Sequence, residues 1–116
     1  MASDGAFSTA TRARIHARAK GRCEVCGARI VNGGQIHHRK PRGMGGTSDS
    51  GKASCANGLW VHPRCHDRIE SQRVRAIENG WLVPQTAVPE FVPVKLWDGL
   101  FLLSPDGSMR KVDDSI

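Results

Sequence analysis

The chain has 116 residues, of which 39% are hydrophobic, with three Phe, three Trp and no Tyr. This length corresponds to one domain, and a chain with so few large apolar side chains often relies on a metal or on disulfides to hold its core. The net charge of +6 favours an acidic partner, and the lack of any apolar run near about 18 residues argues against a membrane protein.

The first predicted element is a basic N-terminal helix. After a loose terminus at residues 1–7, the segment from Ser8 to Lys20 starts with N-cap residues and continues with Ala, Arg and Lys, and Gly21 ends it. Nine Lys and Arg residues lie from position 12 to position 42, with Glu24 as the one acid among them. This excess predicts a positive surface that binds phosphate groups, with an ordinary solvated helix face as the alternative.

A cysteine knuckle follows the helix. Cys23 and Cys26 place two thiolates on one tight turn, and His62 with Cys65 is the one other pair of soft ligands at the same spacing. The sequence therefore predicts a structural Zn²⁺ site made of these four residues, whose binding energy becomes folding energy. No signal peptide is recognisable, so we expect the reducing cytoplasm, where cysteine pairs more often bind metals than form disulfides. Two alternatives stay open: a redox pair at the knuckle, and Cys55 as fourth ligand instead of His62.

Two strands and a second helix are expected next. The predicted elements are a strand at 35–39, a glycine-rich loop at 41–46, an exposed polar excursion at 47–54, a returning strand at 58–61 and a helix at 66–78. The pair Asn79-Gly80 stops that helix.

The remainder of the chain changes character. The runs WLV, FVPVKLW and LFLL are β-prone, and residues 104–107 form a turn signal between LFLL and MRKV. We interpret residues 1–116 as a single α+β domain, with a core at 8–80 and a β-rich C-terminal extension at 81–116. Trp60, Trp81 and Trp97 are expected in the core rather than as platforms for base stacking.

Two adjacent histidines suggest a second site. His37 and His38 on a strand point to opposite sides, so they cannot easily duplicate one role. His66 opens a helix directly after a zinc ligand, and a strand–loop–strand–helix unit could bring it to His37. Asn57 lies in the return of the loop, where its amide can bridge backbone groups. The alternative is a purely structural histidine pair in a basic surface.

Taken together, these residues resemble the HNH, or ββα-metal, endonuclease family. The resemblance covers about residues 12–80 and rests on the runs CEVC, IHHRKPRGMGG and ANGLWVHPRCHDRIE. The segments at 80–83 and 92–94 are similar to those of small free-standing HNH proteins of tailed bacteriophages. The resemblance implies a zinc-stapled ββα-metal core that acts on DNA.

The resemblance also implies a role for each residue of the motif. His37 and His66 would bind a catalytic divalent metal (Mg²⁺, Mn²⁺, Ni²⁺ or Zn²⁺), and His38 would be the general base that activates water. Asn57 would hold the loop so that His38 keeps its orientation. Such enzymes leave 5′-phosphate and 3′-hydroxyl ends, and their chemistry needs the charge neutralisation that a metal supplies.

This chain departs from relatives at two points. His62 stands where relatives usually have Cys, and Glu70 stands where some have a third metal ligand. One helical turn puts Glu70 on the same face as His66, so Glu70 either binds the metal or is a solvent-facing carboxylate paired with an arginine such as Arg73. The loop before Asn57 is also long.

The expected function is metal-dependent hydrolysis of DNA phosphodiester bonds, as a nick or a double-strand cut. Arg39 and Lys40 follow the histidines directly and are expected to grip backbone phosphates. The resemblance suggests a bacteriophage protein acting in DNA packaging or processing in the host cytoplasm, with a terminase or packaging protein as partner and no small-molecule organic cofactor. The rival interpretations are a non-catalytic zinc-ribbon module that binds DNA, and the same nuclease chemistry used in defence or homing.

Overall fold

The computed structural model describes residues 7–41 and 53–112. The expected loose terminus up to residue 6, and residues 42–52 of the glycine-rich loop and polar excursion, lie outside the described residues. The elements in chain order are α1 (Thr9–Ala19), β1 (Gln35–His38), a 3₁₀ turn (Cys55–Asn57), β2 (Gly58–Val61), α2 (Pro63–Ser71), α3 (Arg73–Glu78), a second 3₁₀ turn (Pro89–Phe91), β3 (Val94–Leu96), β4 (Gly99–Leu103) and β5 (Met109–Lys111).

Helix α1 forms where the sequence predicts it. Ser8 is the N-cap, and its hydroxyl accepts a hydrogen bond from the Thr11 amide at 3.1 Å. The helix ends at Lys20 and Gly21, whose φ angles of 55° and 81° are left-handed. Its buried face carries Ile15 toward the sheet.

Strands β1 and β2 form an antiparallel pair, with His37 opposite Leu59 and His38 opposite Gly58. One face of the pair packs on α1, where Ile36 joins a cluster with Phe7 and Ile15. A Cβ at Gly58 would lie 2.6 Å from the Ile15 side chain, so glycine permits this close approach. His38 lies on this face and stacks on Phe7, whereas His37 lies on the opposite face.

The helix expected at 66–78 is two helices, and it starts earlier. His62 is the N-cap of α2 and Pro63 takes the first helical position, where its missing N–H costs nothing. The helix breaks at Gln72, with φ −123° and ψ 65°, and α3 then runs from Arg73 to Glu78 with Asn79 as its C-cap. No glycine or proline marks this break in the sequence.

The expected β extension forms only in the second half of the C-terminal segment, from Val94 to Lys111. Strands β3, β4 and β5 make an antiparallel sheet in that order, and the predicted turn closes with the Gly107 amide donating to the Ser104 carbonyl at 3.1 Å. The WLV run is not a strand, because the Trp81 and Leu82 amides both donate to the Ala76 carbonyl at the end of α3.

A large apolar cluster connects the two parts of the chain. It joins residues of the knuckle, β2 and α2 to residues of β3 and β4, and its members are Cys23, Ala56, Leu59, Val61, Cys65, Val94, Leu96, Phe101 and Leu103. The described residues thus form an α+β fold, as predicted, in which the extension contributes to the core. No helix in the described part of the chain is long and apolar enough to cross a membrane.

Candidate metal centres

Three of the four predicted zinc ligands lie together. The ligand atoms of Cys23, Cys26 and Cys65 are within 4.8 Å of one another. The knuckle closes through the Cys26 amide, 3.5 Å from Cys23 Sγ, and through the Gly27 amide, which donates to the Cys23 carbonyl at 2.8 Å. Gly27 has φ +81°, and a Cβ there would collide with the Trp97 ring. Cys65 reaches the knuckle from the first turn of α2.

The chemistry of this thiol cluster fits a bound metal. Burial, and next the nearby Cys23 sulfur, raise the pKa of the Cys65 thiol to about 12. A divalent cation would favour the thiolate form that these neighbours oppose, and three sulfur ligands are typical of a structural zinc site.

The fourth predicted ligand, His62, is not within that cluster. Its Nε2 atom is buried and has no hydrogen-bond partner in the described part of the chain, although buried polar groups normally have one. The rival ligand Cys55 packs with Phe7, Ile15 and Ile36 in a different cluster, and its Sγ lies 3.8 Å from the Thr11 carbonyl. The structure therefore separates Cys55 from the thiols of the knuckle.

A second group of possible ligands lies on the face of β1 that points away from α1. The ligand atoms of His37, His66 and Glu70 are within 4.8 Å of one another, and the two imidazole centroids are 5.2 Å apart. The side chain of His37 is buried between the sheet and α2, with 2% of its surface exposed. Burial lowers its pKa to about 4, so the imidazole is neutral at pH 7, which is the form that binds metals.

The orientation of the His37 ring is fixed by a backbone carbonyl. His37 Nε2 lies 2.8 Å from the Trp81 oxygen. Because a carbonyl oxygen can only accept, Nε2 carries the proton and Nδ1 keeps its lone pair. A histidine that donates one N–H to a carbonyl while its other nitrogen is a ligand is the usual arrangement in metalloproteins.

Glu70 lies next to His66 and also pairs with Arg73, as one of the two alternatives expected. Its Oε2 lies 3.8 Å from His66 Nε2, one helical turn earlier on α2. Its Oε1 accepts a hydrogen bond from the Arg73 guanidinium at 2.9 Å. The carboxylate therefore faces His66 with one oxygen and Arg73 with the other.

The side chain of Asn57 is hydrogen-bonded to the backbone of Lys40, two residues after His38. Its side-chain oxygen accepts from the Lys40 amide at 2.7 Å, and its side-chain nitrogen donates to the Lys40 carbonyl at 3.1 Å. The Arg39 amide donates to the Asn57 carbonyl at 2.8 Å. These contacts extend the pairing of β1 and β2 past His38, whose ring stacks on Phe7 with centroids 4.4 Å apart.

The structure overturns the prediction that Arg39 and Lys40 contact DNA phosphates. Arg39 is fully buried and its guanidinium donates to backbone carbonyls. Lys40 is 8% exposed, and its Nζ lies 3.0 Å from the Ala87 carbonyl. Burial lowers the pKa of Arg39 to about 9, which leaves the guanidinium charged at pH 7. Both cations therefore hold the fold together instead of meeting a ligand.

Sequence reasoning also missed a buried ion pair. Arg18 on α1 makes two hydrogen bonds to the Glu24 carboxylate, at 2.7 and 2.8 Å, and both side chains are buried. Glu24 in turn accepts from the Trp60 amide at 2.9 Å. The lone acid in a basic segment was the available signal, because an isolated carboxylate among cations is a natural partner for one of them.

One of the three tryptophans is not a core residue. Trp60 and Trp81 are half-buried and pack against the apolar clusters. Trp97 is 51% exposed and lies over the knuckle, with the Arg22 guanidinium 5.5 Å from its ring centroid. Its core assignment was wrong because its position after β3 leaves only one side of the ring covered.

Comparison of this chain with protein-family models, with curated proteins and with solved structures found no match. The functional assignment therefore depends on the residues and their geometry.

Proposed function

We propose that this protein is a divalent-metal-dependent nuclease of the HNH type that hydrolyses DNA phosphodiester bonds. The observation that carries the proposal is the grouping of His37, His66 and Glu70 within 4.8 Å of one another. In the proposed core, β1, β2 and α2 are the two strands and the helix of a ββα-metal unit.

Each residue has a distinct role in this proposal. His37, His66 and Glu70 hold the catalytic metal, which would neutralise charge on the phosphoryl group and on the leaving oxygen. His38, whose ring stacks on Phe7 on the opposite face of β1 from His37, takes the proton of the attacking water. Asn57 is a positioning residue, because its two hydrogen bonds to the Lys40 backbone fix the direction in which the strand carries His38.

The thiol cluster would have a structural role as the zinc site of the same fold. We assign His62 as its fourth ligand, since its buried Nε2 lacks a partner in the described residues and it lies three residues before Cys65 on the same turn. A rotation of the imidazole toward the thiols would complete a Cys₃His set.

A non-catalytic zinc-ribbon module is a weaker explanation of the same chain. Such a module needs only the thiol site, whereas here three further candidate ligands lie within 4.8 Å of one another. A pure zinc ribbon does not require a buried, neutral His37 beside His66. The biological setting in DNA packaging or processing, with a bacteriophage terminase or packaging protein as partner in the host cytoplasm, is proposed from the family resemblance.

The proposal is tested by incubating supercoiled plasmid with the zinc-loaded protein and Mg²⁺, Mn²⁺ or Ni²⁺, or with EDTA. We expect relaxed or linear DNA with at least one metal, no product with EDTA, and no product from His66→Ala. The matched control is His16→Ala, which removes an exposed α1 imidazole and should cleave normally. If no metal supports cleavage while zinc and DNA are both bound, the zinc-ribbon interpretation is the better one.

A further inference from the structure

The backbone of residues 80–83, which lies next to His37, is hydrogen-bonded to Arg39 at both of its ends. The Val83 amide donates to the Arg39 carbonyl, and Arg39 Nε donates to the Gly80 carbonyl, each at 2.8 Å. Between these two contacts lies the Trp81 carbonyl, which accepts from His37 Nε2. The Trp81 carbonyl, which orients His37, therefore lies between Gly80 and Val83, the two residues that Arg39 binds.

The peptide group before the Trp81 residue is fixed at both of its polar ends. Its oxygen, on Gly80, accepts from Arg39, and its N–H, on Trp81, donates to the Ala76 carbonyl at 2.9 Å. The second bond, together with Gly80 at φ +77°, forms a Schellman-type end to α3. A Cβ at Gly80 would collide with the Pro93 carbonyl, so this position requires glycine.

The rest of the Arg39 guanidinium ties the same region to the sheet. Its Nη1 donates to the Ala56 carbonyl at 2.8 Å, before β2, and to the Pro89 carbonyl at 3.2 Å. Its Nη2 donates to the Val92 carbonyl at 2.8 Å. A planar fork of donors is required for this pattern, and the single ammonium of a lysine cannot reproduce it.

We propose that Arg39 is the positioning residue of the His37 metal site. It fixes the peptide that precedes Trp81, so the Trp81 carbonyl holds Nε2 and directs Nδ1 toward His66 and Glu70. This inference rests on the proposed function, in which those residues bind the catalytic metal. The orienting hydrogen bond of a ligand histidine is commonly worth about 10–100-fold in metal affinity.

The test compares Arg39→Lys with Lys40→Met in the full-length, zinc-loaded protein. Lys40 is the matched control, because it is a neighbouring buried cation whose ammonium donates to the Ala87 carbonyl and not to the backbone of residues 80–83. Calorimetry with Mn²⁺ alone should show a loss of about 10–100-fold in affinity for Arg39→Lys and none for Lys40→Met. Zinc should stay at one per chain in both variants.

Three results would overturn the inference. They are wild-type Mn²⁺ affinity in Arg39→Lys, an equal loss in Lys40→Met, and an absence of Mn²⁺ binding by the wild-type protein. The last result would also refute the metal site of the proposed function, whereas the first two leave that site intact.

A measurement on the wild-type protein covers the case in which Arg39→Lys does not fold. Coupling between two sites is reciprocal, so Mn²⁺ binding must stabilise the contacts of Arg39. We expect Mn²⁺ to slow hydrogen exchange of the Val83 amide more than that of Val112, which donates to the Leu100 carbonyl in the distant β-sheet. Equal slowing at both amides, or none at Val83, would contradict the role of Arg39.

Discussion

His37 illustrates how a single backbone contact decides the chemistry of an imidazole. His37 Nε2 donates a hydrogen bond to the Trp81 carbonyl, burial lowers the pKa of the ring and keeps it neutral at pH 7, and the ring centroid lies 5.2 Å from that of His66. The adjacent His38 lies on the other face of the strand against Phe7. Two neighbouring residues of one type thus have different environments, as strand alternation requires.

Removing His37 should weaken the catalytic metal specifically. In His37→Ala we expect a loss of Mn²⁺ affinity larger than the about 10–100-fold that a ligand's hydrogen-bond partner provides, because a ligand itself is removed. Calorimetry measures this loss, and excess Mn²⁺ should partly restore plasmid cleavage. Zinc content should stay unchanged. Loss of Mn²⁺ binding in His38→Ala, with none in His37→Ala, would mean that the two roles are reversed.

The sequence predicted which histidines lie together better than it predicted the surroundings of the cations. His37, His66 and Glu70 follow a motif whose spacing is independent of burial, and the structure brings all three together. Arg39 and Lys40 were expected at the surface, because sequence indicates the sign of a charge but not which carbonyls surround it. Backbone carbonyls from distant segments become visible as acceptors only once the fold is known.

Helix α2 connects the two candidate metal centres. His62 is its N-cap, Cys65 and His66 are consecutive in its first turns, and Glu70 lies one turn later. The thiol cluster therefore fixes the start of the helix that presents His66. Helix positions three and four apart share a face, which is why His66 and Glu70 meet.

Loss of one zinc ligand should therefore damage the whole fold. Cys26→Ser should unfold the protein or leave it prone to aggregate, because the proposed zinc site would make folding depend on metal binding. His62→Ala should do the same, and Cys55→Ser should not. Zinc content and thermal melting curves measure both effects. Zinc loss in Cys55→Ser with full retention in His62→Ala would contradict the ligand set.

The elements that were predicted well have local signals at both ends. Ser8 and Gly21 bound α1, and β2 has its predicted limits of 58–61. The start of α2 was missed although Pro63 marks it, and the break at Gln72 was missed because no glycine or proline stands there. The WLV run was assigned to a strand on its composition, but the Schellman-type end of α3 uses its amides.

On the scale of the whole molecule, the net charge is +6, but fewer of the cations lie at the surface than the sequence suggests. Arg18, Arg39 and Lys40 are buried, which leaves a smaller positive surface for a polyanion. The exposed cations on the helix that carries the proposed site are Arg64 and Arg68. DNA placed at His66 would therefore meet α2 first.

DNA affinity should depend steeply on salt, and α2 should account for part of that dependence. Arg64→Gln with Arg68→Gln should reduce the slope of log K against log salt by about 0.9 for each phosphate that the variant no longer neutralises. Fluorescence anisotropy over a salt series measures the slope. The control, Arg110→Gln with Lys111→Gln on the edge strand β5, should keep the wild-type slope. An effect confined to the control pair would place the DNA on the C-terminal sheet.

The most direct measurement of the nuclease account is the cleavage rate of His38→Ala at saturating Mn²⁺. A positioned general base contributes about 10²–10⁴-fold in rate, so we predict a loss of that size while zinc content, melting temperature and Mn²⁺ affinity match the wild type. This combination would assign proton abstraction to His38 and metal binding to the opposite face of the strand. A His38→Ala protein that binds Mn²⁺ normally and cleaves plasmid at the wild-type rate would contradict the account.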